Sequence, residues 1–556
     1  MVKGRLGDRL LERGQLTAEQ LDLALGEQRR AHRPLGEILL SLSFVKEEDI
    51  TALIAEDLGI EFLRVGDFEP DPMLTAALDA SFVRETLSFP FALVDGTLRV
   101  ALVEPGDPEK VAGVRSRFPY PLEVSIITES DLQKLMRDYL PKEDGQVKQL
   151  FDGLASSEEA SDDDDFPVER VANAVLLDGV HRGATDVHIE PDERVTRVRY
   201  RVDGILTQGE NLPAEATAAI VSRVKILAGL DISERRRPQD GRIRMTVDER
   251  QIDMRVSIMP CTFGENVVIR ILDRAAGGVR LEQLGIPKTI QRHLGMILER
   301  SHGLFLVTGP TGSGKTTTLY SMLAMIDAVR RNVATIEDPV EYQVPLLRQS
   351  QVDTSIDFSF NEGLRSLLRQ DPDVILVGEI RDQETADMAV KASMTGHLVF
   401  ATLHTNSSIG AIPRLVDIGV DAFLIEDSLI GVLAQRLVRK VCNYCKRPTE
   451  LSERDLAWLD GNPGKPMIGE GCDRCGGSGY SGRACLAELF LPDEALAAAI
   501  HDGADAAQLK ETAIASGFLP MEHDGKEKVR LGITTRAEVE RVNRSHRLSK
   551  EEREDV

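Results

Sequence analysis

The 556-residue chain is too long for one hydrophobic core, and a typical size of about 100 to 200 residues per domain predicts several domains. Its net charge of −24 disfavours nucleic acid and anionic lipid as partners, because the summed field repels phosphate. No apolar run is long enough to span a bilayer, and the N-terminus lacks the apolar stretch of a signal peptide. We therefore expect a cytoplasmic, folded protein.

The first 60 residues contain an internal repeat, in which Leu6-Gly7 recurs as Leu35-Gly36 after 29 positions. The apolar residues of each copy have helical spacing, which predicts two similar helical hairpins over residues 1–60. Residues 61–150 alternate strand-like and helical patterns and predict a small α/β domain. Residues 151–165 include the acidic run SSEEASDDDD, which is typical of a solvated linker.

The second half of the chain divides into four further segments. Residues 166–278 combine a helix with strands of period-two alternation and predict another compact α/β domain. A nucleotide-binding segment follows over residues 279–437, because it contains the motifs described next. Residues 438–490 form a cysteine-bearing insertion, and residues 491–556 predict a helical C-terminal region.

A P-loop pattern follows the apolar strand GLFLVT and precedes the helix-compatible TTLYSMLAMI. It consists of Gly309, Pro310, Thr311, Gly312, Ser313, Gly314, Lys315 and Thr316. Its glycines let backbone amides surround an anion, and the helix N-terminus adds a positive dipole. Lys315 would reach the outer phosphates of ATP, and the Thr316 hydroxyl would ligate magnesium.

Downstream, two carboxylates follow strand-like segments, and two histidines flank a third such segment. Glu379 ends the apolar run VILVGE, where it would lie beside magnesium or its water, and Glu337 stands in TIEDPVE. Glu337 is our candidate for orienting the attacking water, with Glu379 as the competitor. His397 and His404 bracket the strand-like LVFATL and could each sense the terminal phosphate, although a lone histidine is more often structural.

Two Cys-x-x-Cys pairs separated by 26 residues indicate a tetrahedral zinc site. The four ligands would be Cys442, Cys445, Cys472 and Cys475. Four thiolates leave no open position for catalysis, so the metal would be structural. The alternative is a pair of reactive dithiols, but neither pair opens a thioredoxin-like helix after a strand.

In this order, the motifs resemble those of the secretion ATPase superfamily, which drives type II secretion and type IV pilus assembly. DPVEY resembles its aspartate box, LRQDPDVILVGEIRD its Walker B segment and TGHLVFATLHTN its histidine box. GATDVHIEP, RVDG and RRRPQDGR resemble the domain that precedes the motor. The resemblance, closest to the general secretory pathway protein E family, implies a multidomain α/β protein. A RecA-like P-loop core would follow a PAS-like domain.

The resemblance also implies a homo-hexamer in which the preceding domain supplies arginines to a neighbouring subunit's ATP. It supports functional roles for His397 and His404 and makes Arg201 and Arg223 candidate arginine fingers, with Arg242 less certain. The alternative is that each arginine belongs to a surface ion pair. The stretch NSSIGAIPRLVDIGV resembles secretion ATPases more than the pilus extension branch.

The N-terminal repeat resembles helical modules that bind cyclic di-GMP in some family members. The residues that carry this resemblance are Arg5, Leu6, Gly7, Gln28, Leu35 and Gly36. The second copy departs from the pattern, with Pro34 in place of Arg5 and Asp57 in place of Gln28. A purely structural bundle is the alternative, and docking to the inner-membrane secretion platform is a third interpretation.

These observations predict a hexameric ATPase that powers type II secretion by moving an inner-membrane platform, with ATP, Mg²⁺ and Zn²⁺ as cofactors. Pilus extension is the alternative within the same class. A nucleotide-gated scaffold with little turnover is the alternative from another class. A DNA-translocating motor is disfavoured by the net charge.

Overall fold

A computed structural model describes four stretches of the chain, which are residues 5–140, 168–247, 250–273 and 280–543. The chain forms two compact units. One unit comprises Met1–Pro141 and Arg280–Val556, and the other is Lys142–Val279. The predicted acidic linker, residues 151–165, lies outside the described residues.

The N-terminal repeat folds into two helical hairpins. Its helices are α1 (Leu6–Glu12), α2 (Ala18–Ala31), α3 (Leu35–Ser41) and α4 (Glu47–Leu58). In each copy the first helix begins at the Leu-Gly pair, as the spacing predicts. The side chain of Thr17 caps α2 by accepting the N–H of Gln20. The buried core of this bundle consists of Leu10, Leu16, Ala24, Ile38, Leu39, Val45 and Leu53.

A small sheet with flanking helices follows the repeat. Its strands are β1 (Ser88–Val94), β2 (Thr97–Leu102) and β3 (Leu122–Ile126), and its helices are α5 (Pro72–Ala76), α6 (Ala80–Thr86), α7 (Pro108–Arg117) and α8 (Glu129–Tyr139). β1 and β2 are antiparallel, whereas β2 and β3 are parallel. Asp95 and Gly96 join β1 to β2 with positive φ angles, as a two-residue hairpin turn requires.

Charged residues at equivalent positions of the repeat pair with arginines from the C-terminal part of the same unit. Glu19 lies 2.6 Å from Arg330, and both carboxylate oxygens of Glu48 accept from Arg280. Glu19 and Glu48 are 29 positions apart, which is the repeat offset. Both glutamates lie in the first turn of the second helix of their copy. The two copies therefore contact this region through corresponding residues.

In the unit Lys142–Val279, the described residues form one six-stranded antiparallel sheet and two α-helices. The strands are β4 (Ala184–Pro191), β5 (Val195–Val202), β6 (Ile205–Pro213), β7 (Gln239–Val247), β8 (Arg250–Cys261) and β9 (Gly264–Asp273), and the helices are α9 (Val168–His181) and α10 (Thr217–Ala228). The strand order is β6-β5-β4-β9-β8-β7. Alternate strand residues form a core with the two helices, which explains the period-two pattern of the sequence.

The largest sheet begins after residue 300. The strands of this region are β10 (Gly303–Thr308), β11 (Val333–Glu337), β12 (Arg348–Gln351), β13 (Val374–Val377), β14 (Leu398–Leu403), β15 (Leu429–Val441), β16 (Lys446–Pro448), β17 (Met467–Gly469) and β18 (Tyr480–Phe490). Seven of them form one sheet in the order β12-β11-β13-β14-β10-β15-β18, and β16 pairs with β17. Only β18 runs antiparallel to its neighbour within the large sheet.

Helices cover both faces of this sheet. They are α11 (Lys288–Leu298), α12 (Lys315–Leu323), α13 (Phe360–Leu367), α14 (Gln383–Met394), α15 (Ala411–Ile418) and α16 (Ala422–Ser428). In β10, Leu304 and Leu306 enter one core, while Phe305 and Val307 enter the other. Burial on both faces explains why the strand is continuously apolar, as expected for a parallel sheet.

The C-terminal region is helical beyond β18. Its helices are α18 (Glu494–His501), α19 (Ala506–Ala515), α20 (Met521–Arg530) and α21 (Arg536–Asn543), whereas α17 (Glu453–Trp458) precedes β18 and lies in the cysteine-bearing insertion. Among the described helices, none is long and apolar enough to cross a membrane.

Candidate nucleotide site and cysteine cluster

The P-loop connects the carboxyl end of β10 to the first residue of α12. Gly309, Gly312 and Gly314 have φ angles of 149°, 77° and 89°, which favour glycine. A Cβ atom on Gly309 would lie only 2.5 Å from the backbone oxygen of Gln435. The side chain of Gln435 is buried and donates to the Ser313 carbonyl at 2.8 Å. Gln435 thus braces the loop, a contact that no local sequence pattern predicts.

Lys315 lies across the P-loop. Its Nζ donates to the carbonyl oxygens of Gly309 at 2.8 Å and Pro310 at 3.2 Å. Burial lowers the pKa of Lys315, and the nearby charge of Glu379 opposes this shift. An anion on the loop would compensate the buried ammonium, which makes this position suited to phosphate.

Glu337 is the last residue of β11, and its side chain is buried. Oε1 accepts from the Thr335 hydroxyl at 2.6 Å and from Gln349 Nε2 at 3.3 Å, and Oε2 accepts from the Tyr320 hydroxyl. Burial raises the pKa of Glu337, while these three donors act in the opposite direction. The donors therefore hold a buried carboxylate in one orientation at the edge of the sheet.

Glu379 and His404 meet at the same edge. Glu379 follows β13, pairs with Arg381, and has Oε2 3.4 Å from Nε2 of His404. Burial and the charge of Lys315 lower the pKa of His404, although Glu379 opposes this effect. The carboxyl ends of neighbouring parallel strands thus bring Glu337, Glu379 and His404 towards the P-loop.

His397 lies at the opposite edge of the sheet. Its carbonyl accepts from the N–H of Gly303, at the amino end of β10, and its Nδ1 lies 2.9 Å from the Ala392 oxygen. The six residues of β14 separate His397 from His404, which corresponds to about 20 Å at the rise of an extended strand. The two histidines therefore do not approach the same P-loop within one chain.

The three candidate arginines lie in the six-stranded unit. Arg201 in β5 has Nε 3.5 Å from Asp186, and Arg223 in α10 has Nη1 2.9 Å from Glu169. Arg242 in β7 is exposed. Within the chain, two of them thus form the ion pairs that were the alternative interpretation. Their role in a neighbouring subunit stays a prediction.

The four cysteines of the insertion come together although they are up to 33 positions apart. Their Sγ atoms all lie within 4.8 Å of one another. The separations are 4.0 Å for Cys442 to Cys472, 3.9 Å for Cys445 to Cys475, and 3.7 Å for Cys472 to Cys475. A tetrahedral zinc ion with bonds of about 2.3 Å requires sulfur separations of about 3.8 Å. The cluster therefore fits zinc.

Backbone amides surround the sulfur atoms of this cluster. Gly471 N donates to Cys445 Sγ at 3.3 Å, and Gly479 N donates to Cys475 Sγ at 3.2 Å. Burial opposes ionisation of Cys475, but backbone N–H groups, among them that of Cys472, lower its pKa to about 7. Burial instead raises the pKa of Cys442 and of Cys445, so metal ligation would have to displace the protons of these thiols.

Packing accounts for four of the six candidate residues in the repeat, namely Leu6, Gly7, Leu35 and Gly36. A Cβ atom on Gly7 would lie 2.7 Å from Cδ1 of Leu21, so α1 approaches α2 closely at this point. Arg5 is exposed immediately before α1. Gln28 donates to the carbonyl of Arg33 at 3.2 Å. Arg5 and Gln28 remain as the polar candidates for a ligand.

The fold and the site define a RecA-like P-loop nucleotide-binding protein with a four-cysteine insertion. A model of the family described as "Type II/IV secretion system protein" matches residues 161–541, and a model of the "MshEN domain" matches residues 58–146. The chain belongs to the type II/IV secretion system protein family.

Several relatives are similar to this chain. Type II secretion system protein E of Pseudomonas aeruginosa is 45% identical over 71% of this chain and 79% of its own length. Type II secretion system ATPase E of Vibrio cholerae is 44% identical over 75% of this chain and 83% of its own length. The type IV pilus assembly ATPase PilB of Myxococcus xanthus is 35% identical over 97% of this chain and 98% of its own length.

A solved structure supports the fold. The Legionella pneumophila ATPase DotB has a TM-score of 0.51 and 20% identity, covering 69% of this chain and 97% of that chain. At this identity the likeness concerns the fold alone.

Proposed function

We propose that this chain is an ATP-hydrolysing motor of type II protein secretion. The main support is the placement of Glu337, Glu379 and His404 at the edge of the sheet that bears the P-loop, in a chain of the secretion family. Relatives with 44 to 45% identity are named for type II secretion. The chain would act at the cytoplasmic face of the inner membrane by moving a platform of membrane proteins.

The residues of the site divide the work of phosphoryl transfer. Lys315 would exchange the carbonyls of its own loop for the outer phosphates, and Thr316 would hold Mg²⁺, which neutralises phosphate charge. Glu337, oriented by three donors, would accept a hydrogen bond from the attacking water. Glu379 would bind water on the magnesium side, and His404 would orient it through their contact.

The first test is ATP hydrolysis as a function of protein concentration, with mass measured by light scattering. If the motor is a homo-hexamer with shared sites, turnover per chain rises as hexamers form and is lost in Lys315→Ala. If a monomer hydrolyses ATP and its turnover per chain does not change with protein concentration, the proposal of shared sites is wrong. Absence of turnover in every assembled state would instead favour the nucleotide-gated scaffold.

Mixing two variants tests whether Arg201 acts in a neighbouring subunit. In Arg201→Ala and Lys315→Ala, each homomeric ring lacks one component of every site. A mixed ring would contain complete sites only if the arginine comes from another subunit, so the mixture should regain activity. Arg197→Ala is the matched control, because Arg197 also lies on β5 and pairs with Asp192. Arg223→Ala is tested in the same way.

The sequence coverage of one relative favours a second candidate function, which is pilus extension. The PilB relative aligns over 97% of this chain, whereas the secretion relatives named above align over 71 to 75%. Deleting the gene in its host separates the two candidates. Loss of secreted enzymes with intact pili supports secretion, and loss of pili with normal secretion supports pilus extension.

We also propose a structural Zn²⁺ in the cysteine cluster and cyclic di-GMP binding at Arg5 and Gln28. Metal analysis of the purified chain should find one zinc per protomer. Titration calorimetry with cyclic di-GMP should show binding that Arg5→Ala weakens. If wild type shows no heat and no competition with a labelled dinucleotide, the repeat is a structural bundle or a docking surface for the membrane platform.

A further inference from the structure

Glu488 on β18 is a buried carboxylate that lies outside the recognised nucleotide-binding motifs. It is 5% exposed. Oε1 accepts from the backbone N–H of Ser408 at 2.7 Å and from its hydroxyl at 2.9 Å. Oε2 accepts from the N–H of Met521 at 2.8 Å. The two oxygens of one side chain therefore bind two distant parts of the chain, Oε1 the segment at Ser408 and Oε2 the backbone at Met521.

The segment 404–408 begins at the nucleotide site and ends at Glu488. Thr405, next to His404, donates its N–H to the hydroxyl of Thr308 at 2.9 Å, and the two hydroxyls lie 2.7 Å apart. Thr308 is the residue immediately before the P-loop. Ser408 is fully buried at the other end of the segment. The backbone that presents His404 is thus attached at both ends.

Met521 is the first residue of α20, whose free N–H groups attract a carboxylate. The same helix is tied to β18 a second time, because Asp524 accepts from the N–H of Ala487 at 2.9 Å. Glu488 is therefore the connection between the His404 segment and the start of α20. A displacement of either one requires breaking a hydrogen bond to this buried carboxylate.

We propose that Glu488 is a positioning residue that sets the place of His404 relative to Glu379 and couples this segment to α20. The inference rests on the proposed ATP hydrolysis. Because catalysis depends on placement, a shift of about 1 Å in a supporting segment can reduce turnover by as much as about a hundredfold. Nucleotide binding, which depends on the P-loop, should be little affected.

Glu488→Gln is the informative change. Both carboxylate oxygens accept from backbone N–H groups, so an NH₂ group in place of either oxygen would put two donors against each other and break one of these hydrogen bonds. We expect kcat for ATP to fall between about tenfold and a hundredfold. The dissociation constant of a fluorescent ATP analogue should stay within about twofold of wild type, because the P-loop is intact. Hydrogen exchange at the Ser408 amide should accelerate by about tenfold or more.

Glu538→Gln is the matched control. Glu538 is also a buried carboxylate of the C-terminal region and accepts from the N–H of Arg439, but it does not contact the His404 segment. Its replacement should lower the melting temperature without changing kcat. If both variants lose kcat in proportion to their loss of stability, Glu488 is only structural and the proposal is overturned.

Two further measurements keep the test decisive. If Glu488→Gln does not fold, Ser408→Ala removes one hydrogen bond to the carboxylate and should still lower kcat while nucleotide affinity is kept; an unchanged kcat would overturn the proposal. If wild type shows no turnover in any assembled state, the proposed function fails separately. The amide exchange rates of residues 404–408 are then compared between wild type and Glu488→Gln, with and without bound ATP analogue. Faster exchange in the variant supports the restraint by Glu488, and equal rates overturn it.

Discussion

Replacing Tyr320 by Phe removes one of the donors that hold Glu337 and leaves the ring in place. The hydroxyl of Tyr320 donates to Glu337 Oε2, and its ring packs edge-on against Tyr342 with centroids 4.5 Å apart. Burial already raises the pKa of Glu337. Loss of the donor destabilises the carboxylate more than the neutral acid, so the pKa rises further.

The magnitude follows from the hydrogen bond that is lost. A hydrogen bond to a charged group contributes about 1.5 to 3 kcal/mol, so its loss raises the pKa of Glu337 in the same direction as burial does. Because the pKa of Glu337 is higher in the folded than in the unfolded chain, its contribution to stability is greatest at low pH and is lost as pH rises through the folded pKa. Tyr320→Phe should therefore reduce the free energy of unfolding mainly near neutral pH.

The assay is kcat for ATP against pH. If ionised Glu337 orients the water, turnover declines as pH falls through its pKa, and Tyr320→Phe moves this acidic limb to higher pH. Tyr342→Phe is the control, because the donors to Glu337 among the described residues do not include its hydroxyl. An unchanged acidic limb in Tyr320→Phe would refute the assignment of Glu337 and favour Glu379.

Other predictions concern the cysteine cluster, a buried ion pair and the P-loop. Cys472→Ser should abolish zinc binding, which contributes about 10 to 16 kcal/mol to folding in small zinc modules. Metal analysis should show this loss, whereas the control Cys261→Ser should retain one zinc per chain. Although burial opposes ionisation, Arg439 holds the pKa of Glu538 at about 2. Glu538→Gln should thus cost about 3 kcal/mol in chemical denaturation at pH 7. This difference should shrink as pH falls from 4.5 towards 2. Gly309→Ala should eliminate ATP-analogue binding in a fluorescence titration without unfolding the chain, because its Cβ would lie 2.5 Å from a backbone oxygen.

Local patterns in the sequence were sufficient for several features. The P-loop depends on a strand, glycines and a helix start that are consecutive in the chain, so Gly309 and Lys315 could be assigned directly. The two Cys-x-x-Cys pairs have a spacing that is typical of one zinc site with four thiolate ligands. The 29-residue repeat predicts the helical hairpins of the N-terminus, because helical periodicity is a local property.

The tertiary structure decided which of these residues meet. His397 and His404 belong to one motif, yet a strand of six residues places them at opposite edges of the sheet. The donors to Glu337 include Tyr320 and Gln349, which lie 17 and 12 positions away along the chain.

Gln435 and Glu488 belong to no local pattern, although one braces the P-loop and the other holds the segment after His404. A single sequence records periodicity and spacing along the chain. The burial and hydrogen bonding of these side chains arise only when strands distant in sequence become neighbours in the sheet.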